Sequence, residues 1–143
     1  MTDRPIDRPA LLAMVPSVYL EHGYCDESGR PRAELAGSYA TAAATQLEEH
    51  EVAAQELSGT LEALRQTLPW HHETEPEEQL RNAIEEALEI TAAMYNQPNN
   101  PGIVAWLEEC VDFVKIEADV SAFMTHFSAV VWHYSVVAKR SAG

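Results

Sequence analysis

"VSAFMTHFSAVVWHYSVVA", residues 120 to 138, contains no Asp, Glu, Lys or Arg. Two structures compete for such a run: a helix that spans a membrane, or one buried on several sides in a helical bundle. Its interior separates them. Ser121, Thr125, Ser128 and Ser135 recur at steps of four, three and seven, and His126 and His133 stand seven apart. Small and polar groups therefore draw stripes along an apolar helix, a pattern suited to protein neighbours rather than lipid. The run reads as the last helix of a soluble bundle, with no membrane insertion, and as a candidate subunit interface.

Upstream, Ile103, Trp106, Cys110, Phe113, Glu117, Val120, Met124, Phe127, Val131, Tyr134 and Ala138 keep the same three-four rhythm. Asn100 can cap this helix and Pro101 can occupy its first position, so one helix is expected from about residue 101 to 138. Another is expected from Ala33 to Leu68 on the apolar series Leu47, His50, Ala54, Leu57, Leu61, Leu64 and Leu68, with a weak point at Ser58 and Gly59. Thr74 with Glu77, and Pro76 in the first turn, has the pattern of a capping box for a third helix ending near Asn96, its buried face marked by Leu80, Ile84, Ala87, Thr91 and Met94. A shorter helix, about Pro9 to Glu21, is expected to bend at Pro16 and close at Gly23, with residues 1–8 a flexible lead. No stretch alternates with a period of two. The expected architecture is all-α: one domain, an antiparallel bundle of three long helices and a short N-terminal one.

At 143 residues and 46% hydrophobic content the chain can bury a single core. Its formal charge of −14 repels phosphate backbones and anionic lipids, which disfavours nucleic-acid or membrane partners. A phosphorylated ligand would need a metal ion or a local basic patch to offset that field. Two cysteines, Cys25 and Cys110, provide neither a disulfide framework nor a zinc spacing, and the N-terminus lacks a secretory pattern. A cytoplasmic location is expected.

Glu86 and Glu89 lie three apart on the third helix, and Glu109 and Asp112 repeat the spacing on the fourth segment. Residues three apart share a helix face. With a proline-rich turn joining antiparallel helices, four carboxylates would converge between them, a hard-oxygen set suited to Mg²⁺ or Mn²⁺. The plain alternative is a solvated acidic face, because Glu is abundant and Glu48 with Glu51 has the same spacing. His50 and Glu117, at core-facing positions, are a candidate buried pair.

"LRQTLPWHHETEPEEQLRNAIEEALEITAAM", residues 64 to 94, followed by "WLEECVDFVKIEADV", residues 106 to 120, resembles the MazG-type all-α nucleoside triphosphate pyrophosphohydrolases. The features that carry the resemblance are Pro69 and Trp70 before a helix, Glu85, Glu86 and Glu89 on it, a turn, and Glu109 and Asp112 on the next. His71 and His72 follow Trp70 where many members have an acidic residue, and residues before 60 have no counterpart.

The resemblance implies Mg²⁺-dependent hydrolysis of a nucleoside triphosphate to the monophosphate and pyrophosphate. Glu86, Glu89, Glu109 and Asp112 would be the metal ligands and catalytic carboxylates. Lys115, Lys139 and Arg140 are then candidate phosphate contacts, and Trp70 is a candidate base-stacking residue or a core plug. A homodimer through the apolar last helix is expected. The competing reading is a non-catalytic acidic helical module that binds a protein partner.

Overall fold

The computed structural model describes residues 16–67 and 75–142, the side chains of Ser17 and residues 137–142 excepted. Its elements are α1 (Pro16–Tyr19), a 3-10 helix η1 (Ala33–Ala36), α2 (Ser38–Glu49), α3 (Ala54–Thr67), α4 (Pro76–Tyr95), α5 (Pro101–Asp112) and α6 (Glu117–Ala142). The protein is all-α among the described residues, with no strand beyond one isolated bridge between Cys25 and Pro31. No helix among them is long and apolar enough to cross a membrane. Most of the helix expected over residues 9–21 lies outside the described residues, and Gly23 closes its end with φ +88°.

Over its described residues, 33–67, the long helix expected there is the 3-10 helix η1 followed by two α-helices, and the joint between those two is not at Ser58 and Gly59. It lies at residues 50–53, where Glu51 takes the left-handed conformation with φ 60°. No glycine or proline marks it. Val52 is buried there, at 2% exposure, whereas His50 and Ala54, which carry the expected series across the joint, are not buried. The carbonyls freed there are used: Asn100 Nδ2 donates to those of His50 and Glu51, and the Tyr134 hydroxyl donates to that of Val52. The joint is thereby tied to α5 and α6.

The last helix also divides, at residues 113–116. Asp119, 6% exposed in the first turn of α6, turns its carboxylate back onto the backbone N–H groups of Lys115 and Ile116 at 2.8 and 3.2 Å. A carboxylate in that position satisfies donors that a new helix leaves unpaired and complements its dipole. Val114 is fully buried there, while Phe113 and Glu117, which carry the expected series across the break, are half-buried and exposed.

α4 and α5 begin close to expectation. Asn100 caps α5, its side chain accepting from Gly102 N at 2.7 Å, and its own N–H donates to the buried Glu56 carboxylate at 2.7 Å. α4 has Pro76 in its first turn, but its cap residue is Glu75 with no side-chain capping bond; Thr74 lies outside the described residues.

Pairings between helices fix their directions. Thr60 meets Thr91 at 3.2 Å and Thr67 donates to the Ala83 carbonyl at 3.3 Å, so α3 and α4 run antiparallel. Asn99 donates to the Leu88 carbonyl and Arg81 reaches Asp112, so α5 returns along α4. α2 lies chiefly against α6. Trp106, Tyr24, Phe123, Phe127 and a set of leucines are the largest fully buried side chains of the core.

Candidate functional site

Leu80, Ala83, Ile84, Ala87 and Thr91 turn one face of α4 inward. Glu85, Glu86 and Glu89 fall on the opposite arc and are exposed. Met94, expected on the inner face, is 61% exposed one residue before the end of the helix, and Ile90 is 38% exposed. Glu86, Ile90 and Met94 are four residues apart and therefore line one edge of α4. Among the described residues, no ion pair engages Glu85, Glu86 or Glu89.

On α5, Glu109 is half-buried and close enough to Tyr19 to help hold that phenol protonated. Asp112 is exposed, and its carboxylate accepts from Arg81 at 3.2 Å; the same guanidinium bonds Glu77 at 2.9 Å. Glu77 first, and Asp112 with it, raise the Arg81 pKa. A divalent ion requires several oxygens about 2.0–2.6 Å from one point. No three His, Cys, Asp or Glu side chains among the described residues gather in that way, and the four predicted ligands are among those described. As the side chains stand, the set does not fit Mg²⁺ or Mn²⁺.

The other predicted contacts are dispersed. Trp70, His71 and His72 lie outside the described residues. Lys139 and Arg140 are in the final turns of α6, beyond the described side chains. Lys115 is exposed in the α5–α6 connection, its ammonium donating to the Asp112 carbonyl at 3.3 Å. It lines an open cavity of about 470 Å³ with Glu75, Glu77, Glu78, Arg81 and Val114, between the start of α4 and that connection. The cavity mixes three carboxylates with two cations. The expected His50 to Glu117 pair does not form: His50 ends α2 against Gly102, while Glu117 is exposed at the start of α6.

The most elaborate polar arrangement was not expected from the sequence. Trp106 Nε1 donates to the Tyr19 hydroxyl at 3.3 Å, that hydroxyl lies 2.6 Å from His126 Nε2, and His126 Nδ1 lies 2.7 Å from the Leu35 carbonyl. A carbonyl only accepts, so Nδ1 carries the hydrogen; in the neutral ring Nε2 then accepts from Tyr19. Every bond is satisfied in one direction. His126 is fully buried, and burial lowers its pKa from 6.5 to about 4, partly opposed by the Leu35 carbonyl. Burial likewise pushes the Tyr19 phenol well above its ordinary range. A neutral imidazole and a neutral phenol with filled hydrogen bonds hold α1, η1, α5 and α6 together and offer no reactive group.

His133 continues the arrangement one heptad on. Its Nε2 lies 3.1 Å from the Ala36 carbonyl and its Nδ1 3.1 Å from the Thr41 hydroxyl. The two histidines of α6 thus grip successive carbonyls of η1. Neither cysteine is activated: burial raises Cys110, and burial with the Asp119 carboxylate raises Cys25. No protein-family model, curated protein or solved structure matches the chain.

Proposed function

We propose that the chain is a non-catalytic acidic helical module that binds a basic, amphipathic protein segment. The observation that carries this reading is the outer edge of α4, where Glu86 stands in line with the exposed Ile90 and Met94 and beside Glu85 and Glu89. Carboxylates flanking exposed apolar side chains offer a basic helix both electrostatic attraction and apolar area to bury. The net charge of −14 extends that attraction over the surface.

Titration calorimetry with a synthetic Lys/Leu amphipathic helical peptide tests it. Binding should weaken as salt is raised, because screening reaches about 8 Å at physiological ionic strength. Glu86→Lys with Glu89→Lys should reduce affinity by about tenfold, equivalent to about 1.4 kcal/mol. No binding at low salt would sink the proposal.

The second reading is Mg²⁺-dependent hydrolysis of a nucleoside triphosphate, supported by the cavity beside Arg81 and Lys115, with Asp112 bound to Arg81 at its edge. Incubation with a nucleotide panel and Mg²⁺ separates the two. Pyrophosphate release, together with a melting temperature that rises with Mg²⁺, would replace the first reading with the second.

A further inference from the structure

α6 points into solvent an outer face that carries no charged side chain of its own, with Arg65 of α3, paired to Glu62, reaching its edge to donate to the Ser128 hydroxyl at 2.9 Å. Ser121, Thr125 and Trp132 are exposed and Ser128, Ala129 and Val136 half-exposed, with Trp132 at 64% near the middle of the arc. Trp is a characteristic interface anchor, costly to leave in water and rich in contact area when covered. The chain carries −14 overall, yet no Asp, Glu, Lys or Arg occurs from Val120 to Ala138. Residues 120–138 offer a basic partner no carboxylate, whereas a second copy of an acidic chain approaches with least repulsion where acidic side chains are absent.

We infer that this face of α6 is the interface of an isologous homodimer in which two α6 helices pair antiparallel about an axis between Ser128 and Ala129. That axis matches residue 128 with 129, 125 with 132 and 121 with 136, and all six positions lie on the outward face. Each Trp132 then covers the partner's Thr125, and each Val136 covers the partner's Ser121. Large side chains from one half of the face meet small ones from the other, as close packing of two helices demands. A parallel pair would stack Trp132 on Trp132 and leave the small residues facing one another. Antiparallel pairing also opposes the helix dipoles.

Sedimentation equilibrium of the full chain tests the dimer. The wild type should dimerise at micromolar concentrations. Salt should tighten the association by about tenfold between 0.05 and 0.5 M, by screening the repulsion of two acidic bodies; binding of a basic partner responds in the opposite sense. Trp132→Glu should be monomeric with unchanged helical circular dichroism, since the side chain is exposed.

Register is tested with single cysteines in a Cys25→Ser background under mild oxidation. Ala129→Cys, beside the axis, should cross-link two copies, and Thr125→Cys, opposite Trp132, should not. Cross-linking at both positions would overturn the antiparallel arrangement. A wild type that remains monomeric to about 200 µM at high salt would overturn the interface itself.

Discussion

The Trp106–Tyr19–His126 chain and the acidic edge of α4 are both made of polar side chains, and they use them in opposite ways. In the first, the side chains are largely withdrawn from water and each polar atom is bonded in one fixed geometry, the Tyr19 hydroxyl to both Trp106 and His126, so loss of any member strands another. In the second, carboxylates remain hydrated and each can be exchanged with little consequence for the fold. Burial, rather than residue type, decides which polar groups hold the molecule together and which remain available for another one.

The largest effect that sharpens this contrast is expected from His126→Ala, which removes two buried bonds and leaves a cavity. Denaturant unfolding should show a loss of about 2–5 kcal/mol. Tyr19→Phe, which leaves His126 Nε2 and the Trp106 N–H unpaired, should cost about 1–3 kcal/mol. Little or no loss for either would dissolve the distinction between the two regions.

The same buried histidine predicts a pH dependence. Its folded pKa, about 4, lies below its ordinary 6.5, so between those values the unfolded chain binds a proton that the folded chain does not. Its contribution is fully present above pH 6.5 and is lost as pH falls toward 4, amounting to about 3 kcal/mol. Comparison of the wild type with His126→Asn across that window isolates it, because the carboxylates titrate in both; parallel curves would refute the assignment.

Gly102 adds a steric case. A Cβ there would sit 2.8 Å from His50 Cβ, so Gly102→Ala should destabilise by about 1–3 kcal/mol through forced displacement of the α2–α3 joint. At the small end, Arg81→Met, which removes the ion pairs to Glu77 and Asp112, should change stability by about 0–1 kcal/mol. Glu86→Gln and Glu89→Gln should stay within about 0.5 kcal/mol. A substantial loss at either glutamate would mean that the acidic edge is part of the folded framework after all.

Much of the helical character was legible because apolar residues recur at helical spacing, and Asn100 with Pro101 is a strong start signal that the structure uses. The joints at residues 50–53 and 113–116 were not legible for a physical reason. The expected series crossed the joints on His50 and Ala54 and on Phe113 and Glu117, whereas the residues buried there are Val52 and Val114. The first turn is held by Asn100 and Tyr134, far along the chain, and the second by Asp119, which caps backbone only three and four residues before it. The four carboxylates were legible as spacings but not as positions. Spacing identifies a shared helix face, and the rotation of that face depends on what packs behind it. His126 was visible only as half of a heptad pair, its partners Tyr19 and Leu35 lying 107 and 91 residues away.

The hydrogen-bond chain that runs from Trp106 through Tyr19 and His126 to Leu35 has a single direction, because its first member can only donate and its last can only accept. The imidazole hydrogen on Nδ1 is therefore assigned without ambiguity and shielded from water. Such a hydrogen should give one sharp, slowly exchanging resonance at the downfield edge of a proton NMR spectrum, where few other signals fall. The molecule thus contains its own label: the lifetime of that resonance in deuterated water times the opening of the core at one atom.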